Sequence, residues 1–528
     1  MAKKVKTPGR KNQSKITKGA AILAVSSFFS YAFGLLRDRL LAGKFGAGES
    51  LDVYQASFLI PDLVLNIFLA GALASAIVPV LSDLLQSKEK KELNDTVSFL
   101  INAVLIIISI ISLVCFILMP WLVLITAPGF VGEKRELLIA TSRIMLLSPV
   151  IFGLSNLLGG VLISYKKFVA YSFSPVLYNA GIIVGILFLA DRYGVIGVAY
   201  GTVFGALLHL SIRLVSVIRS KMRYRFITKP VPKPAVRSLK LMLPRILGLI
   251  AWQGNLWVFT FVGSTLQEGS VGIFNLARNF QSLPVSLIGI SLATAVFPFL
   301  SSDFAKKREK SFMSDFIHSF KKIIFLTLPA SFALALLSTS IISLFLGTGK
   351  FSAEAVAVTA GVLAIFSFVV PFESVNHLLS RTYYARHNTL VPVIISFGAM
   401  GINIALCFAL TRYMGIYGLP LAFLIASIVQ TFTLVIVLNK AFIRLHLSKM
   451  LGYTLRVLVP TISMAGVIAV ILNYFPLRDT LLSRFFQLST ASILGFSIYL
   501  IIAYVLKIEE VHYVVAYIKK WQRKFVSQ

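Results

Sequence analysis

The sequence predicts an all-α polytopic membrane protein with about 14 transmembrane helices: two six-helix lobes related by a parallel internal repeat, plus two C-terminal helices. Three observations support this fold class. Hydrophobic residues make up 57% of the 528 residues, charged residues make up 13%, and the mean hydropathy is +0.86. Apolar runs of membrane-spanning length recur along the whole chain. Two motifs recur at nearly one offset. A soluble enzyme or a single-span receptor is therefore excluded.

Each predicted helix is an apolar run of about 20 residues or more, which is the length that crosses a hydrocarbon core. The first lobe holds six runs, at about 19–44, 51–85, 96–126, 136–164, 168–190 and 194–218. The second lobe holds six more, at about 241–264, 270–301, 316–346, 354–385, 389–411 and 415–439, and two final runs lie at about 450–474 and 482–507. The predicted organisation is a basic N-terminus (1–18), a first lobe (19–218), a proline-rich linker (219–240), a second lobe (241–439), two further helices (440–507) and a basic tail (508–528).

The formal net charge of +31 lies in short loops between the apolar runs. In a soluble chain this charge would suggest a nucleic-acid partner, but its placement is typical of topology signals instead, so no nucleic-acid partner is predicted. Basic loops resist translocation and mark the cytoplasmic side. They are the N-terminus, 88–91, 166–167, 219–240, 306–322, 381–386 and 440–449. Both termini are therefore predicted to be cytoplasmic.

Catalytic and metal-site signatures are missing from the sequence. Cys115 and Cys407 both lie inside apolar runs, which gives no support to a disulfide framework or a cysteine metal site. The chain contains no Walker loop and no spaced set of histidines and carboxylates. We therefore expect a transporter rather than an enzyme, without a cofactor. The sequence leaves open whether sodium, protons or the membrane potential drives it.

An internal repeat relates the two lobes. The motif Ala74-Ser-Ala-Ile-Val-Pro79-Val-Leu-Ser82 returns as Ala293-Thr-Ala-Val-Phe-Pro298-Phe-Leu-Ser301, at an offset of 219. Arg192-Tyr193-Gly194 returns as Arg412-Tyr413-Met-Gly415, at an offset of 220 for the arginines. Six helices per copy keep both copies in one orientation, which favours alternating access around a central cavity.

Charged residues in the first two predicted helices are candidates for function, because a charge inside a span is costly unless it faces a cavity or a partner. Arg37 and Asp38 lie late in the first helix, and Asp52 opens the second. A pair between Arg37 and Asp52 across the short turn would either act as an outer gate or tie the hairpin as an interfacial salt bridge. Asp62 follows Pro61, and Asn66 lies one turn further on the same face, as a polar stripe facing a wet cavity would require.

The second lobe offers a further cation, Arg278. A guanidinium in a cavity can bind a phosphate through two hydrogen bonds, so Arg37 and Arg278 suit a diphosphate headgroup. The alternative for Arg278 is a buried pair with an unidentified carboxylate. Asn403 could bind a coupling cation, although helix packing is favoured. The predicted substrate-binding residues are Arg37, Arg278, Asn66, Asn279 and Asn255, and the predicted gate residues are Asp38, Asp52 and Asp62.

The N-terminal motifs resemble those of the MurJ (MviN) family of lipid II flippases. The resemblance lies in Gly34-Leu-Leu-Arg37-Asp38-Arg-Leu-Leu-Ala42, Phe45-Gly-Ala-Gly48, Asp52, Phe58-Leu-Ile-Pro61, Gly71-Ala72 and Val78-Pro79-Val-Leu-Ser82, and continues through Leu243-Pro244-Arg245, Gly269-Ser270-Val271, Leu283-Pro284, Pro298-Phe-Leu-Ser301 and Gly349-Lys350-Phe351. It implies the fold of the multidrug, oligosaccharidyl-lipid and polysaccharide exporter superfamily. It also implies that the last two helices form a groove for a lipid tail.

The resemblance assigns roles to two residues and shows departures at others. Arg37 matches the cavity arginine of the family, and Asp52 matches its acidic residue at the start of the second helix. Tyr31, Leu65 and Asn66 stand where the family usually has arginines, and Arg278-Asn279 replaces the usual Asp-Arg order. The resemblance thus implies a cavity less cationic than the family pattern.

The leading hypothesis is a lipid II flippase of the bacterial cytoplasmic membrane, which moves the undecaprenyl-diphosphate-linked peptidoglycan precursor from the inner to the outer leaflet by alternating access. Its expected partners are lipid II and membrane lipids, and we expect a monomer. Two alternatives stay open: an exporter of another polyprenyl-linked saccharide or of an amphiphilic drug in the same fold, and a non-transporting scaffold for wall synthesis.

Overall fold

The structure is a computed structural model that describes residues 10–66, 80–81, 83–84, 90–165, 167–220, 222, 224–227, 229, 231–441, 445–474 and 480–511, with side chains left out at 10–24, 90, 237–252 and 441. Two features of the sequence analysis lie outside these residues: most of the first copy of the repeated motif, 74–82, and the tail from 512 onward. The described chain forms two compact units, Met1–Gly272 and Ile273–Gln528.

All the regular elements in the described ranges are helices. In the first unit they are α1 (Arg10–Phe45), α2 (Glu49–Ser57), α3 (Leu59–Leu65), α4 (Lys90–Thr126), α5 (Gly132–Met145), α6 (Leu147–Ser164), α7 (Phe168–Val184), α8 (Ala190–Ile218) and α9 (Lys233–Ser264). Helix α10 (Ser270–Pro284) begins in the first unit and continues into the second, where it is followed by α11 (Ser291–Ala305), α12 (Glu309–Leu336), α13 (Ser338–Phe345), α14 (Ala353–Ser367), α15 (Val369–Ala385), α16 (Leu390–Met414), α17 (Gly418–Ala441), α18 (Leu447–Tyr474) and α19 (Leu481–Val505).

Eight helical segments of the described chain are long and apolar enough to cross a membrane, or nine if the bent pair α14–α15 counts as one. Two of the eight, Phe168–Ile218 and Leu390–Lys440, contain 51 residues each, which is far more than one crossing requires. Each folds back on itself at a glycine and supplies two helices. These segments confirm the predicted fold class and are consistent with fourteen crossings.

The backbone has the same conformation at the two glycines where these segments fold back, which supports the internal repeat. Gly194 has φ 56° and ψ −137°, and Gly415 has φ 55° and ψ −135°. This backbone conformation is open almost only to glycine, because a Cβ would clash in it. The residues that the repeat aligned in the sequence therefore turn the chain in the same way in each unit.

Prolines break three helices that the sequence predicts to be continuous. In the helix predicted at 51–85, Pro61 follows Ser57, the last residue of α2, by four positions. A proline ring clashes with the carbonyl four residues earlier and has no N–H to offer it. Pro149 follows Met145, the last residue of α5, by four positions, and Pro371 stands in the same relation to Ser367, the last residue of α14. Helices α14 and α15 meet at an angle of 41°. The matching breaks at Pro149 and Pro371 are a second structural trace of the repeat.

Helix α7, together with the π-helical turn Gly185–Leu189 that continues it, approaches α8 through facing glycines. A Cβ on Gly181 would lie 2.2 Å from Gly205 Cα, and a Cβ on Gly185 would lie 2.6 Å from Gly201 Cα. Glycines four residues apart on both helices bring the backbones into contact, as small residues do between membrane helices. This packing holds α7 tightly beside α8.

The interior of the second unit is apolar and aromatic. Tyr499 and Tyr383 are fully buried, and their hydroxyls donate to the carbonyls of Phe325 at 2.6 Å and Leu434 at 2.8 Å. Each buried phenol is therefore satisfied. Large apolar side chains such as Trp121 and Phe188 are instead exposed on the outside, as expected where lipid is the solvent.

Candidate functional site

The Arg37 guanidinium is the best-defined candidate for ligand binding in the first unit. Its Nε and Nη2 groups donate to Asp38 Oδ1 at 3.0 and 2.8 Å, and Nη1 donates to Asn179 Oδ1 at 3.1 Å. The Asp38 side chain is 3% exposed, whereas the Arg37 side chain is 21% exposed. The carboxylate is thus enclosed while part of the arginine side chain stays exposed, and a guanidinium is the group best suited to bind a phosphate.

Asp62 lines a small pocket within the first unit. The pocket lies between α3 and helices α5 to α8, and its lining comprises Phe58, Pro61, Asp62, Leu65, Met145, Ser148, Pro149, Phe152, Tyr178 and Thr202. Among these, Ser148 is buried, and its hydroxyl has no hydrogen-bond partner in the described part of the chain. The charges of Arg37 and Asp62 both act on the hydroxyls of Tyr54 and Tyr178. Arg37 and Asp62 therefore share one neighbourhood.

Asp52 forms the centre of a buried cluster at the start of α2. Its Oδ2 accepts from Lys134 Nζ at 2.9 Å and from the Gly269 N–H at 2.8 Å, and its Oδ1 accepts from the Gly272 N–H at 2.8 Å. The Asp52 side chain is 2% exposed. Because Gly272 lies in the first turn of α10, the carboxylate also stabilises the positive end of that helix.

These contacts correct one prediction. The proposed pair between Arg37 and Asp52 does not form, because Arg37 is bound to Asp38 and Asn179 while Asp52 is bound to Lys134 and two backbone N–H groups. The adjacent Asp38 reaches the Arg37 guanidinium from the next position along the helix. Lys44, at the end of α1, forms an ion pair with Asp191 instead.

In the second unit, Arg278 and Asn279 lie on α10, both partly buried. Arg278 interacts electrostatically with Glu373 of α15, and Gln281, three residues after Arg278, donates from Nε2 to Glu373 Oε2 at 3.0 Å. The sequence analysis left open a buried pair between Arg278 and an unidentified carboxylate, and Glu373 is a carboxylate in position to take that role. Because a guanidinium has five N–H donors, Arg278 can bind a ligand while it is also attracted to Glu373.

The other predicted binding residues occupy different positions. Asn66 is the C-terminal cap of α3, and Asn255 lies on α9; both side chains are partly buried. Asn403 is fully buried and accepts from the Cys407 thiol at 3.6 Å. Tyr31, which stands where the family usually has an arginine, is exposed.

A buried polar cluster that the sequence analysis missed surrounds Arg213 of α8. Its guanidinium donates to Ser174 Oγ at 2.8 Å, to the Ser155 carbonyl at 2.9 Å, to Asn156 Oδ1 at 3.1 Å and to the Tyr171 carbonyl at 3.4 Å. Pro175 cannot bond to that last carbonyl, so Arg213 and Ser174 supply its partners. The signal in the sequence was an arginine inside the apolar run at 194–218. The cluster braces α7 at its proline.

No group of three or more histidine, cysteine, aspartate or glutamate side chains capable of holding a metal ion occurs in the described part of the chain. The chemistry that these side chains offer is the recognition of an anion by guanidinium groups, with carboxylates fixing their positions.

Comparison with known proteins identifies the family. The family model of the lipid II flippase MurJ matches residues 41–489. A probable lipid II flippase MurJ of Thermotoga maritima is 30% identical over 413 residues, covering 78% of this chain and 82% of the relative. The lipid II flippase MurJ of Burkholderia cenocepacia is 27% identical over 435 residues, covering 80% and 83%.

Solved structures agree with the sequence match. A lipid II flippase MurJ in an inward closed conformation superposes with a TM-score of 0.77 at 26% identity, covering 92% of this chain and 98% of that one. An inward-facing multidrug MATE transporter of the MOP superfamily has a TM-score of 0.65 at 15% identity, covering 76% and 92%, and shares the fold. The chain belongs to the lipid II flippase MurJ family.

Proposed function

We propose that this protein is a lipid II flippase, which carries the undecaprenyl-diphosphate-linked peptidoglycan precursor across the bacterial cytoplasmic membrane by alternating access. It is an integral membrane protein of a transporter family, and its role is translocation rather than catalysis. The observation that carries the proposal within the chain is the Arg37 side chain, 21% exposed, whose guanidinium is held by a buried carboxylate at 2.8 Å.

In this proposal, Arg37 binds the diphosphate of the substrate from the first lobe, and Arg278 contributes from the second. A guanidinium matches two phosphate oxygens with parallel N–H groups, and in a low-dielectric cavity such a pair is far stronger than in water. Asn66, Asn255 and Asn279 supply neutral hydrogen bonds to the headgroup. Glu373 keeps Arg278 from being an isolated buried cation.

The three aspartates take the gate role. Asp52 ties α2 to the first turn of α10 through two backbone N–H groups, so breaking these bonds would free that helix end. Asp38 neutralises Arg37 when no substrate is present, and Asp62 faces the neighbouring pocket. Both termini lie in the cytoplasm, the last two helices hold the lipid tail, and the protein acts as a monomer.

The test is expression of this chain in a bacterium depleted of its own lipid II flippase. The intact protein should restore growth and the exposure of lipid II in the outer leaflet, and Arg37→Ala should lose both at equal membrane abundance. Arg192→Ala, an exposed arginine before the Gly194 turn, is the matched control and should behave as the intact protein. Failure of the well-expressed intact chain, or full rescue by Arg37→Ala, would overturn the proposal.

A further inference from the structure

Asn179 of α7 stands out because it contacts the proposed substrate-binding arginine from another helix. Its Oδ1 accepts from Arg37 Nη1 at 3.1 Å, and its side chain is buried. Its Nδ2 donates to the Pro175 carbonyl at 3.2 Å and to the Ser30 carbonyl of α1 at 3.4 Å. One amide therefore bridges the two helices.

The orientation of this amide is fixed by its neighbours. Two carbonyl oxygens face Nδ2, and a carbonyl can only accept, so the nitrogen must point toward them. The oxygen then has to point toward Arg37, whose nitrogens can only donate. A flipped amide would set donor against donor and acceptor against acceptor, so the buried Asn179 presents its oxygen to Arg37.

The hydrogen-bond inventory of Arg37 shows what this contact achieves. A guanidinium has five N–H groups. Asp38 takes one from Nε and one from Nη2, and Asn179 takes one from Nη1. Within the described residues, one N–H on each terminal nitrogen has no protein acceptor. N–H groups on the two terminal nitrogens are those with which a guanidinium binds two oxygens of a phosphate.

We propose that Asn179 is a positioning residue, which holds the Arg37 guanidinium so that its two remaining N–H groups face the diphosphate of the lipid substrate. Asp38 alone contacts one edge of the guanidinium and leaves it free to swing about that edge. Asn179 fixes Nη1, and α7 is itself held in place by the glycine contacts with α8 and by Arg213 at Pro175. This inference rests on the proposed function of Arg37.

The test is a double-mutant cycle on the full-length protein in lipid nanodiscs, with equilibrium binding of lipid II, of undecaprenyl diphosphate and of undecaprenol as probes. Asn179→Leu keeps nearly the volume of the side chain and removes the oxygen. We expect it to weaken binding of both diphosphates about tenfold, because a hydrogen bond to a charged group is lost. Binding of undecaprenol, which has no phosphate, should not change.

The cycle separates positioning from packing. If Asn179 acts through Arg37, the double variant Arg37→Ala/Asn179→Leu should bind no more weakly than Arg37→Ala alone. Additive losses, or an equal loss with undecaprenol, would overturn the inference. Asn102→Leu is the matched control, since this buried amide of α4 accepts from the Tyr224 hydroxyl and donates to the Ile227 carbonyl rather than contacting Arg37 or α7, and the change should leave affinity for the diphosphates unchanged.

The two proposals fail in different ways. If Arg37→Ala itself binds lipid II as tightly as the intact protein, the proposed function of Arg37 fails. If Arg37→Ala weakens binding but Asn179→Leu does not, only the positioning role fails. The midpoint of thermal unfolding of each variant in the same nanodiscs shows whether the fold is retained, and Asn179→Ser, which keeps a small polar side chain, repeats the cycle should Asn179→Leu not fold.

Discussion

The carboxylate of Asp52 combines an ion pair with the capping of a helix. It accepts from Lys134 and from two N–H groups at the start of α10. Removing one partner of a buried pair leaves the other charge without compensation, which costs more than the pair itself contributes. The two backbone N–H groups also need a hydrogen-bond acceptor at position 52, because a buried donor without an acceptor is costly.

We therefore expect Asp52→Asn to lower the free energy of unfolding by about 2 kcal/mol, a value reduced from that of a fully buried pair because Lys134 is 18% exposed. Thermal unfolding in detergent measures the change. The exchange Asp52→Lys with Lys134→Asp should not restore stability, because an ammonium would then face two N–H donors. Recovery in the exchanged variant would contradict this account. Asp191→Ala, in the exposed pair with Lys44, is the control and should change stability by no more than about 0.5 kcal/mol.

Residue types were predictable from the sequence, whereas their partners were not. Arg37 and Asp52 were identified as candidates because charges in apolar runs are costly. Lys134 lies 82 positions from Asp52, and Asn179 lies 142 positions from Arg37. Such partners follow from how helices pack, and spacing along one chain does not encode that packing. The expected pair of Arg37 with Asp52 was wrong for this reason.

The close contact of α7 and α8 depends on glycines that face each other. A Cβ on Gly201 would lie 2.5 Å from Gly185 Cα, which is a backbone atom and cannot move aside. Without a hydrophobic effect between helices in lipid, close packing of this kind is a main source of their association. Helix α7 carries Asn179, so the glycines also determine where that side chain lies.

We expect Gly201→Ala to lower the free energy of unfolding by about 1 to 3 kcal/mol, because the added methyl group forces the two helices apart. Gly398→Ala in α16 is the matched control. A Cβ there meets no atom within 4 Å, and alanine favours a helix over glycine, so stability should stay the same or rise. Unfolding of both variants in one detergent gives the comparison. Equal behaviour of the two would argue against glycine packing as the cause.

The apolar runs of the sequence predicted the helices, but they did not predict where a helix breaks within a run. Pro149 and Pro371 were visible in the sequence, and the rule that proline disrupts the bond to the residue four positions earlier predicts both breaks once it is applied. The facing glycines were also visible, since Gly197, Gly201 and Gly205 repeat every four residues. Which helix they would face depends on the fold.

For the whole molecule, the internal repeat is supported by backbone geometry as well as by sequence. Gly194 and Gly415 share a conformation that almost no other residue adopts, and helices break before Pro149 and Pro371 in the two units. A repeat of this kind favours alternating access, which stays part of the proposed function. The predicted lobe boundaries at 218 and 241 stay a prediction.

The central claim is that this protein moves lipid II across a bilayer by means of Arg37. The most direct measurement is flipping by the purified protein in liposomes loaded with lipid II in both leaflets, scored as the fraction accessible to an added enzyme that modifies the headgroup. We expect the accessible fraction to rise from about half toward all of the lipid II with the intact protein, and to stay near half with Arg37→Ala, as in empty liposomes. Equal flipping by Arg37→Ala and the intact protein, or none by folded intact protein under an imposed sodium or proton gradient or membrane potential, would contradict it.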